Sequence, residues 1–252
     1  MRLLYTLIAI TAGLYLAACA ALYFFQRSLI YYPHPPAAGA AGRMTLRAGD
    51  VDLVISIRER AGPGAVVYFG GNAEDVSATM PELAHAFPDR ALYLMNYRGY
   101  GGSDGSPNEA ALQEDGLALF DMARRSHRDI VVIGRSLGSG IAVRLAARRP
   151  VSRLVLVTPY DSLQELAAAQ FPIFPVRWLL IDKYESHKHA HRVTAPTTII
   201  QAEHDEVIPR ASTEALARRF APGVASLTVV PGTGHNTVST HPLYVELLRD
   251  RR

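Results

Sequence analysis

The sequence predicts an α/β fold: a mostly parallel sheet covered by helices on both faces. Three observations predict it. Short, mostly apolar and β-branched runs recur along the chain, helical patterns separate them, and runs such as Ala65–Phe69 and Ile130–Ile133 are apolar on both faces rather than at alternate positions. Leu46–Arg47 and Val51–Arg58 read as short strands opening the sheet. Ala65–Phe69, Ala91–Asn96, Ile130–Ile133, Arg153–Thr158, Thr197–Gln201 and Ser226–Val230 are the runs expected at its centre. Helices are expected at Glu109–Arg125, Ser136–Arg149, Ser212–Phe220 and Pro242–Arg249. The first has Pro107 and Asn108 at its start. In the second, Leu137, Ile141 and Leu145 share one face and Pro150 stops the run. Alternation of the two element types is the signature of parallel strands joined by helical crossovers.

Two segments stand outside this rhythm. Asp161–Arg192 is too long for a plain connection and contains FPIFPVRWLL, so an insertion covering a site is expected at 161–192. Leu3–Phe25 carries no charge. As a helix rising about 1.5 Å per residue it would reach roughly 35 Å, enough for a hydrocarbon core of about 30 Å. A cleaved signal peptide usually has an apolar stretch of only about 7–15 residues, so length favours a retained single-pass anchor. Three rivals stay open: simple cleavage, a lipoprotein site at Leu16-Ala17-Ala18-Cys19 with Cys19 lipidated, and a buried core helix, which the lack of a polar face would suit. Basic residues flank both ends, so charge casts no vote on orientation. The expectation is an N-in anchor with the domain outside the cytoplasm and Tyr31-Tyr32 in the interfacial belt. The domain organisation is then an anchor at 3–25, a linker at 26–43 and one α/β domain at 44–252.

Composition removes some classes. With 49% hydrophobic and 19% charged residues, a packed core is feasible, and composition argues against global disorder. The net charge is only +3, and no basic stripe with interleaved aromatics exists, which argues against a nucleic-acid surface. The single cysteine, Cys19, cannot form an internal disulfide.

The chemistry centres on Gly134-Arg135-Ser136-Leu137-Gly138, a G-x-S-x-G pattern at a strand-to-helix junction. A nucleophile on a sharp turn needs glycines around it, since side chains there would collide with the adjoining strand and helix. A serine hydroxyl also needs a base. His235 is expected on the loop after the last strand, in PGTGHN. Asp205 is expected on the loop after the preceding strand, in AEHDEVIP, with Glu203 and Glu206 competing for the acid role. Both loops fall at carboxyl strand ends, where open α/β sheets place their sites. Two N–H donors should face the developing oxyanion: Leu137, just after the serine, and Asn72, in the Gly70-Gly71-Asn72 loop after the Ala65–Phe69 strand. Arg98 reads as a structural arginine. His187, His189 and His191 read as a solvated polar stretch without a converging fourth metal ligand.

With these residues in view, the chain resembles the membrane-anchored α/β-hydrolase family of serine aminopeptidase-like and depalmitoylase-like hydrolases. The matching pieces are FQRSLIYYP, YFGGNAED, NYRGYGGSDGSP, GRSLGSG, HDEVIP and GTGHN, spread over residues 24–236. The resemblance implies the α/β-hydrolase fold with an eight-stranded sheet, no metal or cofactor, and Ser136, Asp205 and His235 as the triad. Many members carry histidine where this chain has Gly70, which leaves the backbone donor in place. The expected activity is cleavage of an acyl ester or thioester through an acyl-enzyme, on a small-molecule or lipid-like acyl substrate, at a membrane held by the N-terminal helix. A serine peptidase acting on short peptides is the alternative enzyme. A non-catalytic membrane-tethered scaffold on a hydrolase fold is the alternative of another class.

Overall fold

The computed structural model describes residues 1–36 and 42–249. Eight strands form one sheet: β1 (Arg43–Ala48), β2 (Val51–Arg58), β3 (Gly64–Phe69), β4 (Ala91–Met95), β5 (Asp129–Arg135), β6 (Arg153–Val157), β7 (Thr197–Ala202) and β8 (Ala225–Val230). Their spatial order is β1-β2-β4-β3-β5-β6-β7-β8. The β1/β2 and β2/β4 pairs are antiparallel and every other pair is parallel. All eight predicted strands are present, with ends shifted by a residue or two; β1 is longer than its two-residue prediction because it zips along β2.

The helices are α1 (Arg2–Ile30), α2 (Val76–Ala86), α3 (Glu109–Arg124), α4 (Leu137–Ala146), α5 (Leu163–Gln170), α6 (Val176–Leu179), α7 (Arg210–Ala217) and α8 (Pro242–Arg249). The sequence reading gave α2 no bounds. Pro81 sits inside it and obscures the pattern, while Asp75 caps its start by accepting from Ser77 N–H. The predicted Ser212–Phe220 helix starts earlier, at Arg210, because Pro209 sets its entrance. The predicted Ser136–Arg149 helix starts one residue later and ends at Ala146.

Strand β3 shows how the sheet is buried on both sides. Ala65, Val67 and Phe69 belong to one core cluster, while Val66 and Tyr68 belong to the other. Residues from α3, α4 and α7 fill the first cluster, and residues from α2 and α8 the second. This two-sided burial explains why the central strands are apolar throughout. The chain leaves β3 toward β4 and returns to β5 on the other side of β3. The crevice between the carboxyl ends of β3 and β5 is therefore a topological switch point.

The N-terminal region departs from the expected layout. α1 runs on past Phe25 to Ile30, and its end is docked on the domain. Gln26 donates to Leu179 O (3.1 Å) and accepts from Ile181 N–H (2.7 Å). Arg27 pairs with buried Asp182 at 3.2 Å. Tyr31 does not lie in an interfacial belt: it is 3% exposed, and its hydroxyl meets Asp182 and Tyr184. Burying a large ring that keeps a hydroxyl partner explains the difference. The first part of the predicted 26–43 linker is thus part of the packed domain; residues 37–41 lie outside the described residues.

Candidate active site

Strand β5 ends at Arg135, beside β3 in a register that pairs Phe69 with Gly134. Ser136 follows with φ 47° and ψ −115°. A non-glycine residue held there stores about 1–3 kcal/mol of strain, tolerated where the surroundings fix it. The surroundings do fix it. Ser136 N–H donates to Val157 O of β6 (2.9 Å), and Ser139 N–H donates back to Ser136 O (2.9 Å). The flanking glycines have a steric reason. A Cβ on Gly134 would stand 2.6 Å from the Ala142 Cβ, and one on Gly138 would overlap the Phe69 carbonyl.

Serine at a helix N-cap normally turns its hydroxyl onto the helix's own N–H groups. Ser136 occupies that position on α4 yet makes no side-chain cap. Its Oγ lies 3.0 Å from His235 Nε2 instead. His235 Nδ1 lies 2.9 and 3.0 Å from the two oxygens of Asp205. An ionised carboxylate only accepts, so Nδ1 carries the proton and Nε2 is left as the acceptor facing Ser136. Asp205 is held from the other side by Val207 N–H (3.0 Å) and Ile208 N–H (2.7 Å). Both the acid and the imidazole are buried.

The competing acids go elsewhere. Glu206 accepts the backbone N–H of His235, not its ring, at 3.0 Å. That hydrogen bond, with a second from its own N–H, holds its carboxyl below the usual range. Glu203 accepts Gly232 N–H at 2.8 Å. Two carboxylates therefore shape the loop, while Asp205 alone reaches the ring.

Asn72 and Leu137 both line the cavity that holds Ser136. Leu137 N–H is at the first position of α4, where no intrahelical acceptor exists. The Asn72 loop is clamped by residues the sequence reading did not single out. Glu74 accepts Gly71 N–H (2.6 Å), Tyr68 Oη–H (2.6 Å) and Thr79 Oγ1–H (2.8 Å), and pairs with Arg135 of the elbow at 3.3 Å. Tyr97 donates to Gly70 O (2.6 Å), and Tyr100 donates to Asn72 Oδ1 (2.8 Å). The Asn72 side-chain amide donates to Ile30 O at the end of α1 (2.6 Å). The only hint in the sequence was that two glycine-rich loops follow neighbouring strands. Behind the loop, burial pushes Glu82 up to about 7; Arg135 opposes the rise and Glu74 adds to it.

Arg98 makes a two-pronged pair with buried Asp115, both bonds at 2.8 Å, and so braces its loop. Of the three insertion histidines, His187 contacts Asp161 O and His189 accepts from Arg192.

The cavity measures about 490 Å³ and is mostly apolar. One wall comes from α1, through Leu22, Leu29 and Ile30. The facing wall comes from the insertion, through Leu166, Phe171 and Leu179.

Comparison with known proteins gives the class. Residues 64–178 match the family model of the alpha/beta hydrolase fold. The chain is 36% identical over 231 residues to an uncharacterized protein of Mycobacterium tuberculosis, covering 84% of this chain and 80% of that one. It is 32% identical over 136 residues to the lysophosphatidylserine lipase ABHD12 of Xenopus tropicalis, covering 45% of this chain and 35% of the lipase. Among solved structures, a hydrolase from Pseudomonas aeruginosa superposes with a TM-score of 0.66 at 20% identity, covering 84% and 98% of the two chains. Mouse alpha/beta hydrolase domain-containing protein 10 superposes with a TM-score of 0.64 at 17% identity, covering 83% and 96%. The structural likenesses speak to the fold alone. This chain belongs to the α/β-hydrolase family, and its N-terminal helix is long and apolar enough to cross a membrane.

Proposed function

We propose that this chain is a membrane-anchored serine hydrolase that cleaves an acyl ester or thioester by way of an acyl-enzyme. The observation that carries the reading is the uncapped Ser136 hydroxyl, 3.0 Å from His235 Nε2 with Asp205 behind the ring. Ser136 Oγ attacks the acyl carbonyl and passes its proton to Nε2. The negative charge on the former carbonyl oxygen is met by the Leu137 and Asn72 N–H groups and by the positive end of α4. His235 then gives its proton to the departing oxygen or sulfur as the bond to the acyl carbon breaks. Water, deprotonated by the same ring, attacks the acyl-serine and regenerates the enzyme. Asp205 stays ionised and stabilises the imidazolium. The apolar cavity and the partial likeness to a lysophosphatidylserine lipase favour a lipid-like acyl group over a peptide. α1 serves as a retained single-pass anchor with the domain outside the cytoplasm. Its continuation through Cys19 to a docked end supports retention over cleavage or lipidation at that cysteine.

The test uses full-length protein, wild type and Ser136→Ala. Hydrolysis of p-nitrophenyl esters from acetyl to palmitoyl is followed together with fluorophosphonate labelling. Turnover and labelling in the wild type, both lost in the variant, support the reading. A folded wild type that neither labels nor turns over any ester points to the scaffold alternative. Cleavage of short peptides in preference to esters points to the peptidase. Protease protection in sealed vesicles checks the side of the membrane.

A further inference from the structure

We propose that α1 and the α5–α6 insertion together form an acyl channel set into one leaflet. The substrate is a membrane-resident amphiphile with a long acyl chain. It enters sideways from the leaflet, its chain lying between Leu22 of α1 and Leu179 of α6 and its carbonyl at Ser136. This rests on the reading of the chain as an anchored serine hydrolase and adds where the acyl chain comes from.

The first argument is one of length. The insertion touches α1 as far back as Tyr15, whose hydroxyl donates to Ile173 O (2.8 Å) and whose ring stacks on Phe174 at 5.9 Å. At about 1.5 Å per residue, Tyr15 is only about 18 Å along the helix from Leu3. A hydrocarbon core of about 30 Å needs about 20 residues, so counted from Leu3 it extends to about Tyr23. Tyr15 is then about 12 Å inside the boundary, and Ile173 and Phe174 beside it are submerged too. Tilting α1 draws them deeper.

The second argument is the chemistry of the segment that the length argument submerges. Phe171 and Ile173 are exposed apolar side chains, Ile173 at 72%. Exposed backbone polar groups are not tolerated in hydrocarbon. Here Pro172 and Pro175 have no N–H, Phe174 N–H donates to Phe171 O, Phe174 O accepts from Val176 N–H and Ile173 O takes the Tyr15 hydroxyl. This leaves Ile173 N–H as the one backbone donor of 172–175 without a partner among the described residues. The charged groups that flank this segment in the chain are paired. Arg177 pairs with Glu165, and Arg27 pairs with Asp182 close to the level where Gln26 binds Leu179 and Ile181. Trp178, 88% exposed, precedes Leu179 in the chain, and Leu179 O meets Gln26 at the level where an interfacial tryptophan belongs.

The third argument is continuity. The cavity that reaches Ser136 is walled on one side by Leu22 and Leu29 of α1. The anchor is thus part of the substrate site, and an acyl chain in the leaflet reaches the serine without crossing water.

Trp178 is the sole tryptophan of the chain and reports without a label. The full-length protein is reconstituted in phosphatidylcholine vesicles containing lipids brominated at acyl carbons 6,7 or 11,12. The 6,7 lipid should quench Trp178 more than the 11,12 lipid. Ile173→Trp in a Trp178→Phe background should reverse that preference. Tryptophans quenched by aqueous acrylamide and not by either bromolipid overturn the proposal. Independently, Leu22→Trp should lower the palmitoyl-to-acetyl ratio of kcat/KM about tenfold or more, and an unchanged ratio overturns the channel. Ester hydrolysis without bromolipid quenching removes the channel and spares the activity. Quenching without any hydrolysis removes the activity and the channel's substrate with it.

Discussion

The floor and the roof of the cavity are built by opposite means. The floor is the Ser136 elbow on β5–α4 with the Gly70–Asn72 loop beside it. Its geometry comes from backbone: a positive φ at Ser136, glycines with no room for a Cβ, and polar groups tied by several short hydrogen bonds. The roof is α1 with α5 and α6. Its geometry comes from apolar side chains, with a few polar ties at Gln26, Arg27 and Tyr15. The contrast teaches a division of labour. On the proposed reading, chemistry at the serine needs atoms fixed to tenths of an ångström, which strain and hydrogen bonds supply, and choice of an acyl chain needs only shape and dryness, which an apolar wall supplies. Asn72 joins the two, since it lines the cavity while its side chain holds the end of α1.

The sharpest way to break the comparison is at the hydroxyl. Ser136→Ala should lower kcat/KM for every ester by about ten-thousandfold or more, with no preference for chain length; a loss confined to long chains would move the chemistry to the roof. Next is Gly138→Ala, whose Cβ would overlap the Phe69 carbonyl and stand 2.7 Å from Gly70 O. We expect destabilisation on the order of 3 kcal/mol in a denaturant titration. An unaffected midpoint would mean that the floor is not rigid.

A smaller effect is expected at Glu74, which positions the loop and touches no substrate. Glu74→Gln replaces one accepting oxygen with a donor. It should lower kcat by about tenfold to a hundredfold, while KM for short esters stays and Ser136 still labels. A change in KM alone would assign Glu74 to binding.

The smallest effect concerns pH. Burial, opposed by Arg135 and reinforced by Glu74, raises Glu82 from its ordinary 4.5 to about 7. Between those values the folded state holds a proton that the unfolded state has lost, so stability falls as pH rises through the window. Glu82→Gln should remove that fall and raise Tm at pH 8 by about 2–4 °C, with little change below pH 4. An equal gain at all pH values would show that Glu82 matters through packing and not through charge.

Much of the fold was legible because its signals are local. The central strands announced themselves as doubly apolar runs, and Gly134 and Gly138 bracketed the elbow. α2 was not legible, since Pro81 breaks its pattern and only the packing of Val76 and Leu83 on the sheet overrides it. Tyr31 was misread for a related reason. An aromatic just past an apolar helix looks like an interfacial residue, and only the polar pair Asp182 and Tyr184, far along the chain, draws it into the core. At the site, the sequence put Ser136, Asp205 and His235 on three loops at one edge of a sheet and left Glu203 and Glu206 open as acids. Which carboxylate meets the ring depends on turn geometry: Asp205 is aimed by the Val207 and Ile208 N–H groups, and Glu206 by the His235 N–H.

By itself the sequence determined the layer order, the strand-to-helix turn at Ser136 and an N-terminal helix long enough to cross a bilayer. These follow from periodicity, glycine placement and length, which operate over a few residues at a time. Only the tertiary structure decided that α1 walls the cavity, that Glu74 and Arg135 brace the loop, and that Asn72 grips the end of α1. Those relations join residues far apart in the chain. They form because the unsatisfied N–H and C=O groups and apolar faces left over by local structure must find partners once the sheet has closed around them.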